Sequence, residues 1–460
     1  MMRRWFTLWR LCFLALRLGW LGHMANEAHD SPWRRRVWRF VDVLFSYHRQ
    51  AVWDALPQRL WHLGPGFVKC GQMLASRPDL IGRPLCHQLS SLHDDLPPLS
   101  AAQFHAMLAD LSAPSAHGFL EINPRPLASG SVAVVYAAKA KTGHDMAIKR
   151  LRPSIREHLL SDLAVIKSCY QLGQRWLPFL RRVALTDTLE SLGPLILKET
   201  DLRIEAANLD RFHLTHAADS GVTAPLVDWT HTNAKTLAMT RVDTLRLDAI
   251  AGIQQMGHCP KSLAERLAAL FFKDIFITGW FHADPHPGNI HLAHDGRIVL
   301  FDFGVMGWLT AADRRHMLAL IAALKADRID NLIALHRQAG LIPDDLSRVE
   351  QDALAHGIKV ALAQPSLASR IKALMIVMEQ CDIHFTPAWP MLHKTLLTLE
   401  GVLQQLDPDS DMFALFSAEM TRLLGSALPY FPLLVEIDHW SDEMMVEMVR
   451  DLGKDEYLSA

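Results

Sequence analysis

The sequence predicts an α+β fold in two lobes, a small β-containing lobe followed by a larger helical one, behind a long helical preface. Three observations predict it. Residues 282–289 read HADPHPGN, which supplies Asp284 and, five positions on, Asn289. Thirteen positions after Asn289 comes Asp302-Phe303-Gly304, at the end of the apolar run Ile298-Val299-Leu300-Phe301. Upstream, Met146-Ala147-Ile148-Lys149 puts a lysine on a β-type run, 18 residues after the small-residue turn Ala128-Ser129-Gly130-Ser131. That order and spacing is how a protein-kinase fold arranges a phosphate-contacting lysine, a catalytic-loop Asp, a metal-binding Asn and a second metal-binding Asp around a nucleotide triphosphate.

The elements follow in chain order. Residues 1–60 read as amphipathic helices. Residues 61–117 read as a helical block, broken at Arg77-Pro78 and Leu96-Pro97-Pro98. The pattern then changes. Residues 118–245 form the small lobe, with strands at Val132–Ala138 and Met146–Ile148 about the turn Thr142-Gly143-His144-Asp145. A helical insert follows over 155–215, then two short strands within 221–243, of which Thr236–Thr240 is the more apolar. Residues 246–460 form the helical lobe and C-terminal helices, interrupted by a hairpin over 290–302. No internal repeat or low-complexity linker appears.

Composition narrows the function classes. Half of the 460 residues are apolar, enough for a packed core, and the net charge of −2 gives no reason to expect nucleic-acid binding. Six scattered cysteines, with no C-x-x-C pair, fit a reducing compartment and neither a disulfide framework nor a zinc site. No segment suits a membrane span: Trp5–Leu21 is interrupted by Arg10 and Arg17, whereas a spanning helix needs about 20 apolar residues. The broken apolar region, without a clear cleavage site, also speaks against a secretory signal. Charge is unevenly spread, however. Residues 1–50 hold nine arginines against Glu27, Asp30 and Asp42, and seven of the 13 tryptophans fall within the first 61 residues. Arginine with tryptophan on weakly hydrophobic helices is what a segment lying on an anionic membrane surface requires; the plainer alternative is that these helices pack onto the rest of the protein.

The chemistry follows from the residue types. Asn289 and Asp302 offer the hard oxygen ligands that Mg²⁺ prefers. Asp284 would accept a proton from an attacking hydroxyl or orient it. Lys149 would contact the α- and β-phosphates of ATP or ADP, under a loop of Ala128, Ser129, Gly130 and Ser131 whose small residues allow backbone N–H groups to approach phosphate. Met239, in the Thr236–Thr240 run, is placed with these nucleotide-binding residues. The lysine needs a carboxylate partner on a downstream helix, and the pattern LILKETDLRIEAANLDRFH over 195–213 offers Glu199, Asp201 and Glu205. Spacing alone does not choose among them. Ala283 stands where kinases commonly carry the arginine that receives an activation-loop phosphate, which argues against that form of switching.

Over about residues 60 to 310 the chain resembles the UbiB (AarF-domain, ADCK-type) atypical kinase-like family. Lys69-Cys70-Gly71-Gln72 matches its K-x-G-Q motif, with Ser76-Arg77-Pro78-Asp79-Leu80 and Asp95-Leu96-Pro97-Pro98 following. Glu199-Thr200-Asp201 matches its E-x-D motif, and HADPHPGN matches its catalytic loop letter for letter. The resemblance implies that Glu205, six residues after Glu199, pairs with Lys149. Glu199 and Asp201 then join Lys69 and Gln72 in the family-specific set. It further implies ATP binding with ATPase-type activity, ordinary protein phosphorylation being disfavoured, and a role in isoprenoid-quinone (ubiquinone) synthesis at a membrane. The expected location is cytoplasmic, peripheral to the inner membrane, with an anionic surface, an isoprenoid lipid and quinone-biosynthesis proteins as partners. There are departures. The family's three alanines are Ala128-Ser129-Gly130 here, its usual Gln is Val134, and the two hydrophobic C-terminal spans of many bacterial members have no counterpart in Phe413–Ile437, which Glu419, Arg422, Pro429 and Pro432 break. Two other readings stay open: a small-molecule phosphotransferase of the aminoglycoside or choline kinase type, and a nucleotide-binding scaffold without turnover.

Overall fold

Residues 56–75, 99–111, 119–176, 196–311, 348–364 and 388–424, with single positions between them, are described by a computed structural model. The arginine- and tryptophan-rich residues 1–55, the Ser76–Leu80 and Asp95–Pro98 motifs, and most of the Phe413–Ile437 stretch beyond 424 lie outside the described residues. The chain divides into two compact units, Met1–Ala207 with Leu226–Arg241, and Asn208–Pro225 with Val242–Ala460.

The first unit begins with helices α1 (Leu56–Leu63), α2 (Pro65–Ala75) and α3 (Ala101–Leu111). A capping box starts α3: Gln103 N–H donates to Ser100 Oγ, and Ser100 N–H donates to Gln103 Oε1, so two backbone donors that the helix cannot satisfy find partners. Strands β1 (Phe119–Ser129), β2 (Ala133–Ala140) and β3 (Asp145–Leu151) follow, then α4 (Ile155–Trp176) and α5 (Leu202–Thr215). Next come β4 (Val222–Thr223), which belongs to the second unit, and β5 (Thr236–Thr240).

The four-stranded sheet runs β1-β2-β3-β5, antiparallel throughout. Its second and third strands and the turn at Gly143 (φ 89°) lie close to where the sequence puts them. The long edge strand β1 was not expected. Pro124 and Pro126 disguise it, because proline removes a ladder hydrogen bond; an edge strand tolerates that loss, and the pairing is interrupted between Ile122 and Pro126. Phe104 and Met107 of α3 pack on Val134 and Tyr136 of β2. The two α1–α2 helices share a core with α4 through Leu56, Leu63, Phe67, Val68 and Val165.

The second unit holds the C-terminal part of α5 from Asn208, then β6 (Thr244–Arg246), α6 (Ile250–Gln255) and α7 (Pro260–Phe272). Proline at the first position of α7 sits where its missing N–H costs nothing. A π-helical stretch, Lys273–Thr278, extends α7 and stops at Gly279. Strands β7 (Trp280–His282), β8 (Ile290–Ala293), β9 (Ile298–Leu300) and β10 (Met306–Trp308) follow, then α8 (Arg348–Leu362), α9 (Ala388–Leu406) and α10 (Met412–Leu424). One sheet orders β4-β9-β8-β6, with β4 parallel to β9; β7 pairs with β10 in the other. The expected 290–302 hairpin is β8–β9. The three-residue strands β6, β7 and β10 are too short to show alternation and were not expected. Helix α7 is the core of this unit, and its Phe272, with Phe276 of the π-helical stretch, stacks edge-on against Phe416 of α10 at ring distances of 5.2 and 5.0 Å.

Gly279 fixes how the chain enters β7. Its φ is 70°, and a Cβ there would lie 2.5 Å from the carbonyl oxygen of Leu309, a backbone atom with no room to yield. Gly279→Ala is expected to destabilise the fold by about 2–3 kcal/mol, the sum of left-handed strain and crowding, read as a lowered thermal midpoint.

Candidate nucleotide and phosphoryl-transfer residues

Lys149 sits on β3, a strand with neighbours on both sides, opposite Val135 of β2 and Leu237 of β5. Its Nζ donates to Glu205 Oε1 at 2.8 Å, with side-chain exposures of 15% and 6%. An ion pair shielded to this degree is held more firmly than a surface pair, because water screens it little. Of the three acids that spacing left open, Glu205 is the one that contacts Lys149, and the two others have different partners. Glu199 takes Lys69 of α2, Nζ to Oε2, at 3.2 Å. Asp201 caps α5: its Oδ1 accepts the N–H of Arg203, and the Arg203 guanidinium also bonds both carboxylate oxygens at 2.9 and 2.6 Å, which holds the Asp201 carboxyl below its ordinary range. Thus the E-x-D acids secure the start of the helix whose Glu205 fixes Lys149.

Helix α2 carries Lys69-Cys70-Gly71-Gln72. Gln72 Nε2 donates to the carbonyl of Leu92 at 3.2 Å. A Cβ on Gly71 would lie 2.6 Å from Leu92 Cδ1, so the glycine permits this close approach. Cys70 is buried, and burial pushes its thiol up to about 11, far from a reactive thiolate. One anchor escaped sequence reasoning. The buried Asp162 of α4 accepts the Gly66 N–H at 3.1 Å, in the first turn of α2, where the helix has donors to spare. Only Gly-x-Gly spacing could have hinted at it: a Cβ on Gly66 would meet Asp162 Cβ at 2.5 Å.

The loop between β1 and β2 is clamped from outside. Arg152 Nε donates to the Gly130 carbonyl at 2.8 Å, and its Nη2 donates to Ser129 Oγ at 2.9 Å. Within the loop, Gly130 N–H donates to Ala133 O at 2.9 Å, and Ser131 is buried. Ala128 and Ser129 end β1 opposite Val135 and Val134. Met239, on β5 opposite Ala147, is buried.

The second unit holds the 282–289 loop and Asp302. His282, at the end of β7, is buried, and its Nε2 lies 2.9 Å from the carbonyls of both Phe301 and Asp302. Its Nδ1 is 3.2 Å from the Asp284 N–H. Nδ1 therefore accepts and Nε2–H donates, the neutral tautomer, in keeping with burial that lowers its basicity. One imidazole so joins the loop before Asp284 to the chain at Asp302. Further bonds reinforce the junction: Ala283 N–H donates to Val305 O, and Phe301 N–H donates to Asn289 O at 2.8 Å. Asn289 Nδ2 donates to the Asp284 carbonyl at 3.1 Å, which leaves its oxygen as the end suited to a cation.

Asp302 has φ 56°, a conformation that costs a non-glycine residue about 1–3 kcal/mol and that surrounding contacts must impose. Those contacts are present. Phe303 is fully buried between Phe212 and His282, at ring distances of 5.0 and 5.4 Å, and its carbonyl accepts Asn208 Nδ2 at 2.9 Å. Asn208 thus anchors the chain just after Asp302, a contact that nothing in the motif pattern announces. Arg211, one turn on, stacks over Trp280 and Trp308 at 4.7 and 5.0 Å, fastening β7 to β10. The donor set of Asn289 and Asp302, all oxygen, fits Mg²⁺ and not a soft metal.

Helix α9 also reaches the loop. Lys394 Nζ lies 2.8 Å from Asp284 Oδ1, and buried Thr395 Oγ1 donates to the Ala283 carbonyl at 3.1 Å. The sequence placed no functional residue there. Among the described residues no helix is long and apolar enough to cross a membrane.

The chain is similar to known proteins. A family model described as the ABC1 atypical kinase-like domain matches residues 91–334, more than half of the chain, and one described as the UbiB helical domain matches 352–411. A protein of Azotobacter vinelandii named "Probable protein kinase UbiB" is 31% identical over 399 residues, covering 83% of this chain and 74% of that protein. Its namesake in Cellvibrio japonicus is 29% identical over 412 residues, covering 87% and 75%. Among solved structures, Rv3197 of Mycobacterium tuberculosis in complex with erythromycin gives a TM-score of 0.50 at 24% identity, covering 85% of this chain and 99% of that one.

Proposed function

We propose that this chain, which belongs to the UbiB family of ABC1 atypical kinase-like proteins and has their kinase-like α+β fold, binds ATP with Mg²⁺ and hydrolyses it in support of isoprenoid-quinone synthesis at a membrane. The Lys149–Glu205 pair carries the reading. In protein kinases the strand lysine must be held by a helix glutamate before it can contact the α- and β-phosphates, and here the pair is formed at 2.8 Å. Asn289 and Asp302 would hold the metal, whose charge offsets that of the phosphates when bound. Asp284 would orient the attacking oxygen. Ala128 to Ser131 and Met239 would line the nucleotide. Because phosphoryl transfer is mostly positioning and charge stabilisation, these groups suffice.

Lys69 and Glu199 support an ATPase that is set by its own motifs. Their ion pair joins α2 to the segment that leads into α5, so any displacement of α2 would be felt six residues later at Glu205. We place Gln72 and Asp201 in the same regulatory set. The arginine-rich residues 1–50 would supply attachment to anionic lipid, each basic residue near the surface contributing about 1 kcal/mol.

Quinone profiling tests the biological part. A strain lacking this chain is expected to lose most of its isoprenoid quinone, to regain it with the parent, and not to regain it with Asp284→Asn. Normal quinone in the uncomplemented strain would remove the biosynthetic role.

A further inference from the structure

The loop from Asp284 to Asn289 contains Pro285, His286, Pro287 and Gly288, so it supplies no lysine or arginine of its own beside the proposed base, and Ala283 stands just before it. A cation is nonetheless at that carboxylate. Lys394, 110 residues away on α9, sets its Nζ 2.8 Å from Asp284 Oδ1. Among the described residues, Asp284 Oδ2 has no such partner.

The contact is built on a fixed element. Thr395, the next residue, is fully buried, and its one hydroxyl proton is shared between the Ala283 carbonyl and the Met391 carbonyl one turn back, at 3.1 and 3.0 Å. On the same helix Leu392, Leu396, Leu399 and Leu403 are buried, so α9 cannot roll to carry Lys394 elsewhere. An ammonium on a four-carbon stem at the surface would ordinarily contribute little, since Lys394 is 54% and Asp284 34% exposed. What distinguishes this pair is the Thr395 hydroxyl beside it, which bonds the Ala283 carbonyl and ties the helix to the loop.

We propose that Lys394 is a positioning residue for phosphoryl transfer, supplied to the catalytic loop by the C-terminal helix α9. Its ammonium holds one oxygen of Asp284, and the other oxygen faces the attacking group. In the transfer step that group's oxygen, from water in hydrolysis, forms a bond to the γ-phosphorus. The bond from that phosphorus to the β-phosphate oxygen breaks, its electron pair leaving with ADP. The proton of the attacking hydroxyl passes to Asp284 and then to solvent. The inference rests on the ATPase reading above and gives the C-terminal helices a task in the reaction.

Steady-state ATP hydrolysis of the full chain, with Mg²⁺, separates the possibilities. Misplacing a catalytic group by about 1 Å costs up to about a hundredfold, so Lys394→Met is expected to lower kcat about ten- to a hundredfold with the KM for ATP unchanged. Lys394→Arg, which restores a cation at slightly different reach, is expected to recover part of the loss. A purely structural contact would instead shift the thermal midpoint and leave the arginine and methionine variants alike in kcat. Lys394→Met turning over at the parent rate, or faster as if a brake were released, overturns the proposal. A parent without turnover overturns the ATPase reading and this inference with it, whereas a parent with turnover beside an equal Lys394→Met overturns this inference alone.

Discussion

Asp302→Asn is expected to lower Mg²⁺-dependent ATP turnover about a thousandfold while the protein stays folded. The substitution keeps side-chain size and removes one negative charge from the metal-binding set, so the loss falls on the divalent cation and the phosphate charge that it offsets. Removing a single preorganised charge stabiliser costs about a hundred- to a thousandfold in other enzymes, and loss of a metal ligand belongs at the upper end. The fold should tolerate the change. The left-handed backbone at Asp302 suits asparagine, and the anchors around it, His282 to the Asp302 carbonyl and Asn208 to the Phe303 carbonyl, use backbone oxygens that the substitution leaves in place. Phosphate release and a thermal melt, run together, check both halves of the expectation.

Glu205→Ala should have the second-largest effect, and it should act on nucleotide binding. The substitution takes away the carboxylate 2.8 Å from the Lys149 ammonium, in a setting where the glutamate is nearly inaccessible. The lysine then loses the fixed position that phosphate contact needs. A fall of about a hundredfold in kcat/KM is expected, most of it in the KM for ATP, with a stability cost of about 3 kcal/mol for breaking a shielded pair. Glu199→Ala, which breaks the more exposed pair with Lys69, should leave nucleotide affinity closer to the parent's. Nucleotide titrations of both variants distinguish a role in holding Lys149 from general disturbance of α5.

Much of this arrangement could be read from the chain. Asp284, Asn289, Asp302 and Lys149 stand in an order that one fold explains, and strands β3, β8 and β9 fall where apolar runs end in turn residues. Three acids within seven residues defeated spacing, because Glu199, Asp201 and Glu205 all read as one polar helical stretch, whereas the helix breaks at Thr200-Asp201. Their roles differ by what comes to meet them: Lys69 from α2, Arg203 from the next turn, and Lys149 from a strand. The parts that stayed hidden depend on long-range contacts or on short elements. Lys394 and Thr395 look like any pair on an amphipathic helix until α9 is packed against the loop, and Asp162 looks like a surface acid on α4. Strand β1 was masked by two prolines, β7 and β10 by their length. The proposed phosphate loop was legible as a turn of small residues, whereas the Arg152 clamp on Ser129 and Gly130 was not.

In the function proposed, Lys149 with Glu205, and Asp284 with Asn289 and Asp302, serve Mg²⁺-dependent cleavage of ATP. Phosphate release by the purified full chain, measured with ATP in Mg²⁺ and again after chelation with EDTA, tests it most directly. Turnover that needs Mg²⁺ and vanishes in Asp284→Asn is the predicted result. A folded parent that releases no phosphate from ATP under either condition would rule out ATP cleavage by these residues.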